Sequence, residues 1–492
     1  MTGPDSDLPE GGTVSADVIG LSLLVLGVLL LVAKLVRIRS RIAQKLFLPS
    51  SIIGGFLALL IGPEVVGSIA EAIGGPDAPL TGGLWPEEFL DVWASLPGLL
   101  ISVVFATLFL GERIPKVKEA AELAGPQLAL GVTMASGQYV IGLLLAVLLL
   151  VPFLDQDPMV GALIEVGFEG GHGTAAGLGD TFAELGFPEG QDLALGLATV
   201  GVVAGVVVGI ALINWGVHTG RAEVLESDAK TSLAEQRGLY EREEQKPAAM
   251  LTVRTASVEP LAIHFAVVAV AILLGLALLE ALQALERLLW ADTVELFEYV
   301  PLFPLAMIGG VAVQKLVDRF DRTGIVDRQM MLRIQGIALD LLIISALATL
   351  SIQAIANNWV TFLLLAIAGL AWNVGVFVFL ARRMIPRFWF ERGIGDLGQS
   401  LGVTATGLIL IRVADPNAAT PAMEAFGYKQ LAFEPFFGGG LVTAASLPLI
   451  AQFGAVPLLV FMAVLLIVSL GIGIFYFGRR SPAEEEARVA DT

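Results

Sequence analysis

Long apolar runs recur from one end of the chain to the other, and nothing else constrains the fold as much. A hydrocarbon core about 30 Å thick takes about 20 residues of apolar helix to cross. Eleven windows of that kind, bounded by charges or turn residues, fall near 16–36, 47–73, 93–111, 126–152, 193–217, 260–285, 300–317, 333–355, 359–381, 430–450 and 456–477. Inside lipid every backbone N–H and C=O needs an internal partner, so repeated spans predict an all-α polytopic membrane protein. Composition agrees: 56% of the 492 residues are hydrophobic and 15% charged, too apolar for a soluble domain of this size. The opening MTGPDSDLPEGGTVSAD is acidic, with no basic residue before the first run, so no cleaved signal is expected. The absence of cysteine excludes disulfides and thiol chemistry. A net charge of −18 argues against nucleic acid as a partner.

Lysine and arginine mark the cytoplasmic side of a membrane protein. With the N-terminus outside, 28 of the 29 basic residues fall on inner segments and only Arg287 lies outside; Lys429 is counted with the inner set. This predicts an extracytoplasmic N-terminus over 1–15 and a first repeat over 16–217. A charged cytoplasmic linker over 218–259 follows, then a second repeat over 260–450, an extra span at 456–477 and an acidic cytoplasmic tail at 478–492. The localisation expected is a multi-pass cell membrane protein.

The halves resemble each other at three places in the same order. FLPSSIIGG at 47–55 matches LFPLAMIGG at 302–310, SVVFATL at 102–108 matches SALATL at 345–350, and GTAAGL at 173–178 matches VTATGL at 403–408. The offsets fall from 255 to 242 to 230. Five spans per half is an odd number, so the second half enters the membrane inverted. Inverted repeats build secondary transporters whose substrate and ion sites sit where broken helices meet near the midplane.

Two Gly- and Thr-rich stretches, 159–182 and 395–412, are only partly apolar and too short to cross twice. They read as re-entrant hairpins, one dipping in from each side, whose tips can meet. Glycines let a chain reverse and let its backbone approach a ligand. A helix starting at such a turn aims N–H groups at an anion, and threonine hydroxyls supply oxygen ligands to Na⁺. The residues expected to bind substrate are Gly171, His172, Gly173, Thr174, Gly402, Thr404, Thr406 and Arg412, and those expected to ligate Na⁺ are Thr174, Thr404, Thr406 and Asp340. Each has a plainer reading. His172 is either a substrate partner or a peg tying the hairpin to a neighbouring helix. Asp340 is either an intramembrane functional acid or a residue of the inner mouth. Arg412 either grips a carboxylate or marks the membrane boundary. Glu165 and Glu169 read as solvated acids at the outer mouth, Asn373 and Gln399 as interhelical hydrogen-bond formers, and Gly201 to Gly209 as a close-packing face. The Gly-rich stretch lacks the strand and the Lys-Ser/Thr of a nucleotide loop, and no catalytic dyad is visible, so no enzyme is expected.

EGGHGTAAG at 169–177, together with FLPSSIIGG, LLISVVFATLFLG at 99–111, LGVTATGL at 401–408 and FEPFFGGGLVTAASLPLI at 433–450, resembles the corresponding segments of the sodium/glutamate symporter family. The resemblance covers residues 16–450 and implies ten core spans in two inverted five-helix halves, a homodimer, and a substrate-carrying part that moves elevator-fashion against a static one. The function it implies is Na⁺-coupled symport of glutamate by alternating access, with Na⁺ as the coupling ion. The alternatives are an Na⁺- or H⁺-coupled carrier of another small carboxylate, such as a 2-hydroxycarboxylate, or, from another class, a channel or receptor.

Overall fold

The structure is a computed structural model. It describes residues 15–480 apart from 47, 113–116, 225–236, 238, 241, 246, 290–296, 298 and 417–418. The expected outer N-terminus, most of the acidic tail and the middle of the linker lie outside the described residues. Among the described residues the chain is helical, without strands, and ten stretches are long and apolar enough to cross a bilayer.

The main helices are α1 (Ala16–Arg39), α2 (Ser50–Ile61, continuing to Gly74), α3 (Glu87–Ala106), α4 (Val117–Leu145, continuing to Leu154), α5 (Glu189–His218), α6 (Pro260–Leu289), α7 (Leu302–Phe320), α8 (Arg328–Ala348), α9 (Trp359–Val376, continuing to Met384), α10 (Ala422–Phe433), α11 (Leu441–Phe453) and α12 (Ala455–Gly471, continuing to Phe477). Proline fixes many of the starts: Pro49, Pro86, Pro188, Pro301 and Pro421 sit immediately before α2, α3, α5, α7 and α10. Its ring sets φ, and its missing N–H costs nothing where a helix has no partner to offer. Two pieces interrupt this series. The first, 158–184, is a chain of short turns. The second is Trp389–Ala414.

Two expected spans are corrected, and a third stretch has the character of a span without its geometry. The window at 300–317 is helix α7, but Gln314, Lys315, Asp318 and Arg319 make its second half too polar for it to count among the ten. The window at 430–450 is α10 and α11, two helices separated at 434–440. Trp389–Ala414 has the length and composition of a span, but its helical geometry is broken at Gly402 and Val403.

The helices pack in two groups. In one, α2 and α3 lie against α8, α7 lies between α3 and α6, and α1 lies on α2. In the other, α4 carries α9, α10 and α12, and α5 packs along Trp389–Ala414. Thr133 and Ser469 bond to each other at 2.9 Å, joining α12 to α4. The outer helices turn apolar faces outward: only 22% of the α1, α6 and α12 windows is buried, against 61% for Trp389–Ala414.

The repeated motifs make reciprocal contacts. A Cβ on Gly55 would stand 2.5 Å from the Leu347 Cβ, and one on Gly310 would press on the Ala106 carbonyl. Gly55 and Gly310 are equivalent in the Ile-Gly-Gly motif, and Leu347 aligns with Phe105, next to Ala106. The glycine helix of each half therefore packs on the Ala-Thr-Leu helix of the other.

Candidate functional site

Three interruptions of helix come together inside the second group, facing the first. The first follows the turn Glu165–Glu169, where Gly171 adopts φ 69°. Only glycine enters this left-handed region freely, and the chain reverses there. The arm Gly171–Gly177 then runs antiparallel to α5: the His172 Nε2 lies 2.9 Å from the Thr199 hydroxyl, and Gln191 donates to the Ala176 carbonyl at 3.4 Å. The second interruption is Gly402–Val403, with φ −148° and 63°. The two arms it joins fold back on each other, because a Cβ on Gly398 would stand 2.8 Å from the Gly407 Cα and one on Gly395 would stand 2.5 Å from the Ile411 side chain. On a straight helix, residues nine apart would be separated by about 13.5 Å. The third is the turn 434–440 between α10 and α11, with Gly438 and Gly439 at φ 68° and 104°.

The tips touch. Any side-chain carbon on Gly171 would collide with Val403, one on Gly439 with the Thr174 hydroxyl, and one on Gly438 would lie 3.9 Å from the Glu169 Cγ. Gly173 and Gly177 face Ile101 of α3, so the first reversed arm borders the other helix group.

Polar side chains pin the tips. The Glu165 carboxylate accepts from the Tyr139 hydroxyl (2.7 Å), the Thr443 hydroxyl (2.7 Å) and the Gly438 N–H (3.0 Å). Gln138 donates to the Ser400 carbonyl at 2.8 Å and to Asn373 at 3.2 Å, and Asn373 donates to the Gly369 carbonyl. The Lys429 ammonium is fully buried, 3.5 Å from Asp396, 2.5 Å from the Gln399 oxygen it donates to, and 3.8 Å from the Phe433 ring centre. A buried charge is tolerated only with such partners. The Thr404 hydroxyl donates to Glu434 at 2.8 Å and accepts from Gln430 at 2.6 Å.

Of the residues singled out in the sequence, Gly171, Thr174, Gly402 and Thr404 lie at or beside the junction. Thr174 leans on the Gly438 carbonyl (3.4 Å). Thr406 donates to the Gly402 carbonyl at 2.5 Å within its own arm. The His172 ring ties the first arm to α5: the Thr199 proton goes to the Leu195 carbonyl at 3.0 Å, leaving the threonine oxygen to accept from the ring Nε2–H. Asn373 and Gln399 form the expected interhelical bonds, and Gly201, Gly205 and Gly209 pack against Leu401, Thr406 and Leu410. Arg412 is exposed near the end of the second arm. Asp340 is half-buried on α8 with Ser51 as its polar neighbour; it follows Leu339, whose methyl lies near Gly173.

Two expectations are corrected. Glu165 and Glu169 are not solvated at a mouth; they are 0% and 2% exposed, because the turn that carries them is packed between α4, α5 and the second folded segment. Lys429 belongs to no inner loop, since α10 begins at Ala422 and buries it. Tyr139, Gln138, Thr443, Lys429 and Glu434 were missed as site residues. The available signal was the sequence EPFFGGG at 434–440, where proline and three successive glycines break an apolar run.

A family model described as sodium/glutamate symporter matches residues 86–409, from the start of α3 through the second interruption. No curated protein and no solved structure matches the chain significantly.

Proposed function

The chain belongs to the sodium/glutamate symporter family, and from that premise we propose that it carries glutamate across the membrane together with Na⁺ by alternating access, with the three-tip junction as its binding site. The observation that carries this reading is the meeting of Gly171, Val403 and Gly438–Gly439 at the border of two helix groups. Non-helical backbone at membrane depth is stable only inside protein or along a cavity, and this is where inverted-repeat carriers place substrate and ion. The two folded segments act as re-entrant hairpins entering from opposite sides. The reciprocal packing of Gly55 with Leu347 and of Gly310 with Ala106 supports the inverted repeat. The group carrying the tips is the moving, elevator-like part, and the group of α1, α2, α3, α6, α7 and α8 is the static part that pairs two copies in a homodimer. The N-terminus lies outside and the C-terminus inside.

Within the junction, backbone N–H groups at Gly171, Gly173 and Gly402 hold substrate carboxylate. The hydroxyls of Thr174, Thr404 and Thr406 line it, while His172 positions the first arm. Arg412 and Asp340, away from the tips, guide charge at the approach. The test is uptake of labelled glutamate by proteoliposomes. Uptake driven by an inward Na⁺ gradient, and absent with K⁺ or choline replacing Na⁺, is the expected result. No glutamate uptake under any cation gradient overturns the reading.

A further inference from the structure

Glu169 is buried at the first tip, yet neither carboxylate oxygen has a hydrogen-bond partner among the described residues. Glu165, four residues earlier, shows the contrast, since three donors converge on it. An isolated buried carboxylate costs several kcal/mol unless a positive charge or donors answer it.

Oxygens lie around it. The Ser400 hydroxyl, at the second tip, is a polar side chain that interacts with Glu169. It too is fully buried and makes no hydrogen bond of normal geometry. Gln138 on α4 spends its amide hydrogens on the Ser400 carbonyl and on Asn373, and its own Oε1 is buried and without a donor. On the remaining side stands Gly438, which puts no side chain against Glu169. Four buried oxygens from three separate parts of the chain thus lack a hydrogen bond of normal geometry. The set is all oxygen with one negative charge. Hard cations take such ligands, and a single carboxylate with neutral oxygens suits a monovalent ion.

We propose that Glu169, Ser400 and Gln138 form a Na⁺ site that ties α4 to both hairpin tips. The inference rests on the Na⁺-coupled reading above and deepens it. The ion is held by the acid of the first tip and the neutral oxygens facing it, with the threonines of the two arms left to line the substrate path. Lys429, Asp396 and Glu165 are the other charged groups within electrostatic reach of Glu169, and none of them fills the gap with a hydrogen bond.

The experiment pairs a binding readout with a transport readout. Purified protein without glutamate is heated in NaCl, KCl or choline chloride at equal ionic strength, since a ligand that binds only the folded state raises its melting temperature. Proteoliposomes give the Na⁺ concentration for half-maximal glutamate uptake. The wild type is expected to be stabilised by Na⁺ alone. Glu169→Gln should lose that stabilisation and need at least about tenfold more Na⁺. Ser400→Ala is the second variant: it removes one neutral oxygen and no charge, so the protein should melt normally in choline and yet respond less to Na⁺. A folded Glu169→Gln or Ser400→Ala protein with wild-type Na⁺ dependence overturns the site. So does a Glu169→Gln protein that loses a pH dependence of uptake while keeping its Na⁺ response, because the acid then carries a proton. Should Na⁺ stabilise the wild type through Glu169 while no glutamate moves, the site stands and the glutamate reading fails.

Discussion

The two folded segments meet tip to tip but are held by different means. The first is fastened by directional bonds: Glu165 gathers three donors and His172 is pegged to Thr199. The second takes side-chain bonds from Gln138, Lys429 and Glu434 and is fastened by close packing as well. Gly395, Gly398 and Gly407 let its arms touch, and Gly201, Gly205 and Gly209 of α5 take its backbone and side chains at close range. Hydrogen bonds specify a geometry and consume polar atoms in doing so, whereas glycine packing sets a shape and leaves polar atoms free. The second tip can therefore present Ser400 and its neighbours with unspent oxygens, while the first supplies the charge.

The largest test of this contrast is the buried ion pair that anchors the second segment. Lys429→Met leaves Asp396 buried without its cation, and removing one partner of a buried pair costs about 3–5 kcal/mol. Unfolding in a graded denaturant series should show that loss, and adding Asp396→Asn should recover much of it. If Lys429→Met alone is neutral, the second segment does not depend on its buried ion pair. Next in size is Gly201→Ala, whose new methyl would run into the Leu401 carbonyl. Overpacking of this kind costs about 1–3 kcal/mol, and here it should also separate α5 from the second tip and lower the glutamate uptake rate. The smallest effect belongs to the first segment: His172→Ala and Thr199→Val should each cost about 1 kcal/mol, and the double variant no more than either alone. A rise in the glutamate concentration needed by His172→Ala, not shared by Thr199→Val, would show that the ring touches substrate as well.

Much of this was legible in the sequence. Apolar length gave the helices, and glycine with threonine between spans pointed to two of the stretches where helix is interrupted. The third interruption was not legible, because EPFFGGG sits inside an apolar run. Hydropathy measures transfer into lipid and cannot tell lipid from a protein interior that shelters open backbone. The same blindness put Lys429 in a loop and Glu165 and Glu169 in water: charge implies solvent only when no partner is near, and their partners (Asp396 and Gln399 for the lysine, Tyr139 and Thr443 for Glu165) come from distant parts of the chain. The reciprocal glycine contacts could be anticipated as a repeat, but not as touching surfaces, since sequence gives the motifs without their orientation.

The buried charges also have an electrical consequence. Glu165, Glu169 and Asp396 share their surroundings with two cations, Lys429 and Arg392, in a medium too poor in water to screen the difference. Any charge left uncompensated when such a core shifts across the bilayer works against or with the membrane voltage, at about 2.3 kcal/mol per charge per 100 mV. A cation lodged at Glu169 cancels part of that imbalance. In the alternating-access cycle proposed above, carriers with and without that cation would feel the same voltage differently.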